Sequence, residues 1–146
     1  MSDLNPFTIQ HVAAGVVREC SADGTLYIFN IQNNHIFTLQ NWIANVKEVL
    51  GAWSPKQVCL LMHDLHKIGQ FPLDKATTEK LDELYSFRPE LERYTAYVSP
   101  NKDMIVNLFM TSHVLNVKGN HGAHWELFNS RREALNWLIK LRNESQ

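Results

Sequence analysis

Val58-Cys59-Leu60-Leu61-Met62 is the stretch on which the fold turns, an unbroken apolar run between Ser54-Pro55-Lys56-Gln57 and His63-Asp64. A strand with one wet face alternates apolar and polar side chains, whereas a strand covered on both faces does not. The run is too short for a buried helix. It therefore predicts an inner strand of a largely parallel sheet, with helices on either side.

Upstream of it, Leu39, Trp42, Ile43, Val46, Val49, Leu50 and Trp53 recur at helical spacing and mark one apolar stripe. Thr38 is the expected cap, and Gly51 and Pro55 bracket the end. Before that helix, Thr25 to Ile31 is rich in aromatic and β-branched residues. Ser21-Ala22-Asp23-Gly24 reads as a turn, because Asp-Gly adopts positive φ cheaply. Val12 to Val17 is the expected first strand, forming an antiparallel hairpin with Thr25 to Ile31.

Downstream, a second helix is expected over Thr78 to Phe87, with Leu81, Leu84 and Tyr85 inward and an end before Pro89. Tyr94 to Val98 is a further strand, and Ser99-Pro100 opens a helix running through Ile105, Leu108 and Phe109 toward Leu115. Asn116 to Gly122 reads as a loop and Trp125 to Phe128 as the last strand. Ser130-Arg131-Arg132-Glu133 is a capping box. The closing helix turns Ala134, Trp137, Leu138 and Leu141 inward, with Lys140 and Arg142 at its dipole-negative end. The order ββαβαβαβα predicts one α/β domain over residues 1–146. Its mostly parallel, five-stranded sheet carries an N-terminal antiparallel hairpin and is flanked by about four helices.

Composition excludes several classes. Hydrophobic residues make up 45% and charged residues 20% of 146, which is ordinary globular usage. A formal charge of -1 gives no general pull toward nucleic acid. Cys20 and Cys59 lack motif spacing, which points to a reducing compartment rather than a disulfide framework. Met1 to Pro6 lacks a basic start followed by an apolar stretch, and no apolar run approaches a membrane span, so a cytoplasmic location without a transmembrane segment is expected.

The element order, ending in Phe128-x-Ser130-x-x-Glu133-Ala134-Leu135-x-Trp137-Leu138, resembles the STAS-like family, particularly its SpoIIAA-like branch. The resemblance spans nearly the whole chain. It implies a small regulatory or binding module, in which some relatives are phosphorylated on Ser or Thr after the third strand, and others are akin to lipid-carrying domains. Here the corresponding stretch is His63-Asp64-Leu65-His66-Lys67-Ile68-Gly69, with neither Ser nor Thr, so the phospho-switch is not carried over.

In open α/β sheets, ligands bind beyond the carboxyl ends of parallel strands. Those ends make His63, Asp64, His66, Ser99 and Asn101 the candidate ligand-binding residues, although capping by itself accounts for Ser99. Together with His121 and His124, an H-x-x-H pair, the first cluster could supply nitrogen and oxygen donors for a divalent ion. The spacing matches no zinc signature, so neither metal nor cofactor is expected. There is no G-x-S-x-G, no Gly-rich loop after a strand, and no His adjacent to either Cys, and catalytic residues are not expected. The helix after Pro100 is apolar around much of its circumference, which makes Met104, Phe109 and Met110 a candidate partner or dimer surface. The expected function is a non-enzymatic regulatory or protein-interaction module. Its alternatives are a carrier of a small apolar or anionic ligand at the strand ends, and a metal-dependent hydrolase using His63, Asp64 and His66.

Overall fold

The computed structural model describes residues 7–69, 75–101, 103 and 123–145. Six strands form one sheet whose spatial order follows the chain: β1 Thr8–Ala13, β2 Val16–Cys20, β3 Leu26–Ile31, β4 Cys59–Asp64, β5 Arg93–Val98 and β6 Ala123–Phe128. β1, β2 and β3 pair antiparallel, and β3 to β6 pair parallel. Three helices lie among the described residues: α1 Ile36–Gly51, α2 Lys75–Ser86 and α3 Arg131–Glu144.

The expected run from Val12 to Val17 is not one strand. Ala14-Gly15 reverses the chain inside it, which gives six strands instead of five. Gly15 sits at φ +79, and a Cβ there would lie 2.2 Å from Thr38 Oγ1. Only glycine therefore permits both the turn and the approach of α1. The expected hairpin is the β2–β3 pair. Asp23 Oδ1 accepts hydrogen bonds from Ser21 Oγ, Thr25 Oγ1 and the Thr25 N–H, which fixes the turn, and Gly24 supplies φ +73.

Every residue of β4 is buried, as the apolar run requires. Leu61 and His63 face α1 and α2, among Phe29, Leu39, Trp42, Val46, Leu81, Leu84 and Tyr97. Leu60 and Met62 face the other way, with Leu26, Ile28, Ala96 and Val98, against Ala134 and Leu138 of α3. The α1 stripe is buried throughout, but the helix begins at Ile36 with His35 as its N-cap. The expected cap, Thr38, is buried instead against the Gly15 turn. α2 likewise begins earlier than expected, at Lys75. In α3, Ser130 Oγ accepts from the Glu133 N–H, and Trp137 and Leu141 are only partly buried.

Two arginines tie the lower ends of the helices together. Arg88 Nη1 donates to the carbonyls of Leu50, Gly51 and Trp53 at 2.9, 3.2 and 3.0 Å, and so caps the end of α1. Arg93 Nη2 donates to Phe87 O at 2.9 Å, just past α2. The expected helix from Asn101 to Leu115, with Met104, Phe109 and Met110, lies outside the described residues apart from Asn101 and Asp103. No helix among the described residues is long and apolar enough to cross a membrane.

Candidate functional site

Strand alternation separates the first two candidate residues. His63 and Asp64 are adjacent in β4, so their side chains leave opposite faces of the sheet. His63 is 3% exposed, with its ring 5.2 Å from those of Trp42 and Tyr97 and 5.6 Å from that of Phe29. Trp42 Nε1 donates to His63 Nδ1 at 3.1 Å. A nitrogen that accepts carries no proton, so the neutral ring holds its proton on Nε2. Burial pushes the imidazole down to about 3, and His63 is uncharged at neutral pH. It is a polar member of the core rather than a strand-end ligand.

Asp64 emerges on the α3 face, 4% exposed. Its Oδ1 accepts from the backbone N–H of His66 and from His66 Nδ1. The His66 ring is thus held through Nδ1 while the residue remains exposed. Ser99 is 2% exposed and closes a local turn, in which its Oγ accepts from the Asn101 N–H at 3.0 Å. Asn101 itself is exposed. Thus Asp64 and His66 meet, while His63, Ser99 and Asn101 do not join them.

A cavity of about 350 Å³ opens at the carboxyl ends of β3 and β4, against the first residue of α3. Asp64, His66 and Lys67 line it from the β4 side, with Ile9, Val17 and Ile31 as its apolar wall. Glu19, Asn30, Gln32 and Arg131 complete it. Arg131 donates from Nη2 to Glu19 Oε1 at 2.7 Å and from Nη1 to Asn30 Oδ1 at 3.2 Å. Asn30 Nδ2 closes the triangle on Glu19 Oε2 at 2.7 Å. Burial pushes the Glu19 carboxyl up, but the Arg131 and Asn30 hydrogen bonds and the Arg131 charge prevail, holding it below the usual carboxylate range. Lys67 Nζ donates to Gln32 Oε1 at 2.7 Å.

These other residues of the cavity were not anticipated from the sequence. One signal was available: Asn30 is the polar residue in the apolar strand Leu26-Tyr27-Ile28-Phe29-Asn30-Ile31. It stands opposite Asp64 and Val17 in register, which only the strand pairing discloses.

Among the described residues, no three His, Cys, Asp or Glu side chains converge on a metal position. His124 stacks on Tyr94 with ring centroids 4.5 Å apart, and its H-x-x-H partner His121 lies outside the described residues.

No protein-family model matches the chain, and no curated protein matches it. A solved structure does match, an uncharacterised protein of the DUF3478 family from Shewanella loihica PV-4 with a SpoIIAA-like fold. The likeness covers 92% of this chain and 96% of that one, at 17% identity and a TM-score of 0.53. At that identity the likeness concerns backbone architecture alone. On that architecture, an antiparallel hairpin running into parallel strands flanked by helices, the chain has a SpoIIAA-like fold.

Proposed function

We propose that this chain is a non-enzymatic, STAS-like regulatory module that acts by binding another protein in the cytoplasm. The observation that carries the reading is the β1 edge. Among the described residues β1 pairs only with β2, and Ile9 on it is 62% exposed. Phe37, in the first turn of α1, is 73% exposed. An edge strand with outward main-chain groups and exposed apolar side chains is a template for strand addition. Free thiols at Cys20 and Cys59 support a reducing compartment. The separation of His63 from Asp64 weighs against hydrolytic chemistry built on that pair.

The test is native mass spectrometry on the chain isolated from its own cells, wild type beside an Ile9→Lys, Phe37→Ser double variant. The reading expects a defined protein partner on the wild type and its loss from the variant, with both melting at the same temperature. Equal recovery of the partner by both removes the β1 edge as the binding surface. A wild type that carries no protein removes the reading itself.

A second reading, a carrier of a small ligand at the strand carboxyl ends, is favoured by one observation, the cavity of about 350 Å³. That volume falls within the range of small-molecule sites.

A further inference from the structure

The polar groups around the strand-end cavity differ in how much hydrogen-bonding capacity they retain. Both oxygens of Glu19 are engaged, one by Arg131 and one by Asn30. Arg131 has five N–H donors in principle, and its bonds to Glu19 and Asn30 use only part of that fork. Lys67 is exposed and gives one bond, to Gln32, so its ammonium retains donors facing outward. On the cation side, then, the surplus is of charged donors. On the other side stands Asp64, 4% exposed, whose Oδ1 takes both bonds from His66 while no donor among the described residues reaches Oδ2. That oxygen keeps its acceptor capacity for a donor from outside the chain.

From this pairing we infer that the cavity binds a small organic anion bearing hydroxyl groups, the chemistry shared by sugar phosphates and hydroxy acids. The inference rests on the ligand-carrier reading and gives it a ligand class. The anionic group sits between Lys67 and Arg131, and a hydroxyl donates to Asp64 Oδ2. The apolar wall of Ile9, Val17 and Ile31 accommodates the carbon skeleton. A bare inorganic anion without a hydroxyl, such as sulfate, satisfies the cations but offers Asp64 no donor, and a neutral polyol does the reverse. Only a ligand with both groups meets both demands.

The experiment is a backbone-amide NMR titration of the full chain with glycerol 3-phosphate, sulfate and glycerol in turn. Glycerol 3-phosphate is expected to shift the amides of Asp64, His66, Lys67 and Arg131. It should bind about tenfold more tightly than sulfate, the worth of one additional well-placed hydrogen bond to a charged group. Lys67→Gln, at an exposed position, should weaken glycerol 3-phosphate about tenfold and leave the spectrum otherwise unchanged. Asp64→Asn should bring glycerol 3-phosphate and sulfate to equal affinity. Equal affinity in the wild type overturns the proposal while leaving the cavity as a plain anion site under the carrier reading. Shifts with glycerol alone, undiminished in Lys67→Gln, overturn the anionic half. Silence at those amides with all three probes overturns the proposal, and a ligand found copurifying in the cavity would then leave the carrier reading standing without it.

Discussion

The indole N–H of Trp42, on α1, donates to His63 Nδ1 on β4 across 3.1 Å of otherwise apolar core. The bond joins helix to sheet and holds an ionisable ring where it cannot readily be charged.

Acid stability should register that ring directly. A free histidine titrates near 6.5, and His63 is pushed down to about 3 by burial. Between those values the unfolded chain takes up a proton that the folded chain refuses. The stabilising effect of a neutral His63 is therefore full above pH 6.5 and is lost progressively as pH falls toward 3, by up to about 1.4 kcal/mol per pH unit. In urea unfolding, His63→Phe should be less stable than wild type by about 1–3 kcal/mol at pH 7.5, because Trp42 Nε1 loses its acceptor. The gap should narrow or reverse near pH 4. A constant gap across that range would show that His63 does not carry the acid slope.

Arg88 closes the end of α1 from the far side of the chain, and α1 has no basic residue in its own last turn. Arg88→Ala should cost about 2–3 kcal/mol in denaturant unfolding, the scale of hydrogen bonds from a charged donor to orphan carbonyls. Arg88 also sits at φ 54, in the left-handed region. Arg88→Gly loses the same bonds but relieves that backbone strain, so it should be milder than Arg88→Ala by up to about 1 kcal/mol.

Gly15 and Gly24 share a positive φ but not their surroundings. A Cβ on Gly15 would strike Thr38, whereas one on Gly24 meets nothing within 4 Å. Gly15→Ala should cost about 3 kcal/mol, from backbone strain together with overpacking, and Gly24→Ala about 1 kcal/mol from strain alone. Thermal melts of the two variants side by side check the difference. Equal losses would mean that Thr38 withdraws freely from the turn.

The two thiols should separate by reactivity. Burial pushes the Cys59 thiol up to about 12, with the charges of Arg93 and Arg88 opposing that rise only in part. Cys20 is half-buried at the end of β2. At pH 8 a thiol-reactive dye should label the folded chain once, at Cys20, and both cysteines in urea. Peptide mapping of the adducts decides.

Much of the layout was legible because it rests on local periodicity. The apolar run at β4, the stripe on α1 and the Ser130 cap each encode their own environment within a few residues. What was missed depended on partners distant in the chain. Val12 to Val17 reads as one strand because nothing local announces that Gly15 must accommodate Thr38. His63 and Asp64 read as one cluster because they are adjacent, although alternation sends them to opposite faces; that much was available from period two alone. The union of Glu19, Asn30 and Arg131 with Asp64 spans four separate elements and needed strand register. The resemblance to the SpoIIAA-like branch, carried by element order and the terminal helix, held at the level of fold.

The sheet order β1 to β6 repeats the order of synthesis. Each strand, on leaving the ribosome, finds its only unfilled neighbour already made, so the sheet grows at one edge and never has to be opened to admit a later strand. α3 follows last and covers Leu60, Met62 and Ala96, which until then remain open on that face among the described residues. For a nascent chain, the vulnerable interval is thus the time between completing β6 and closing α3, when an apolar sheet face waits for about a dozen more residues to be translated.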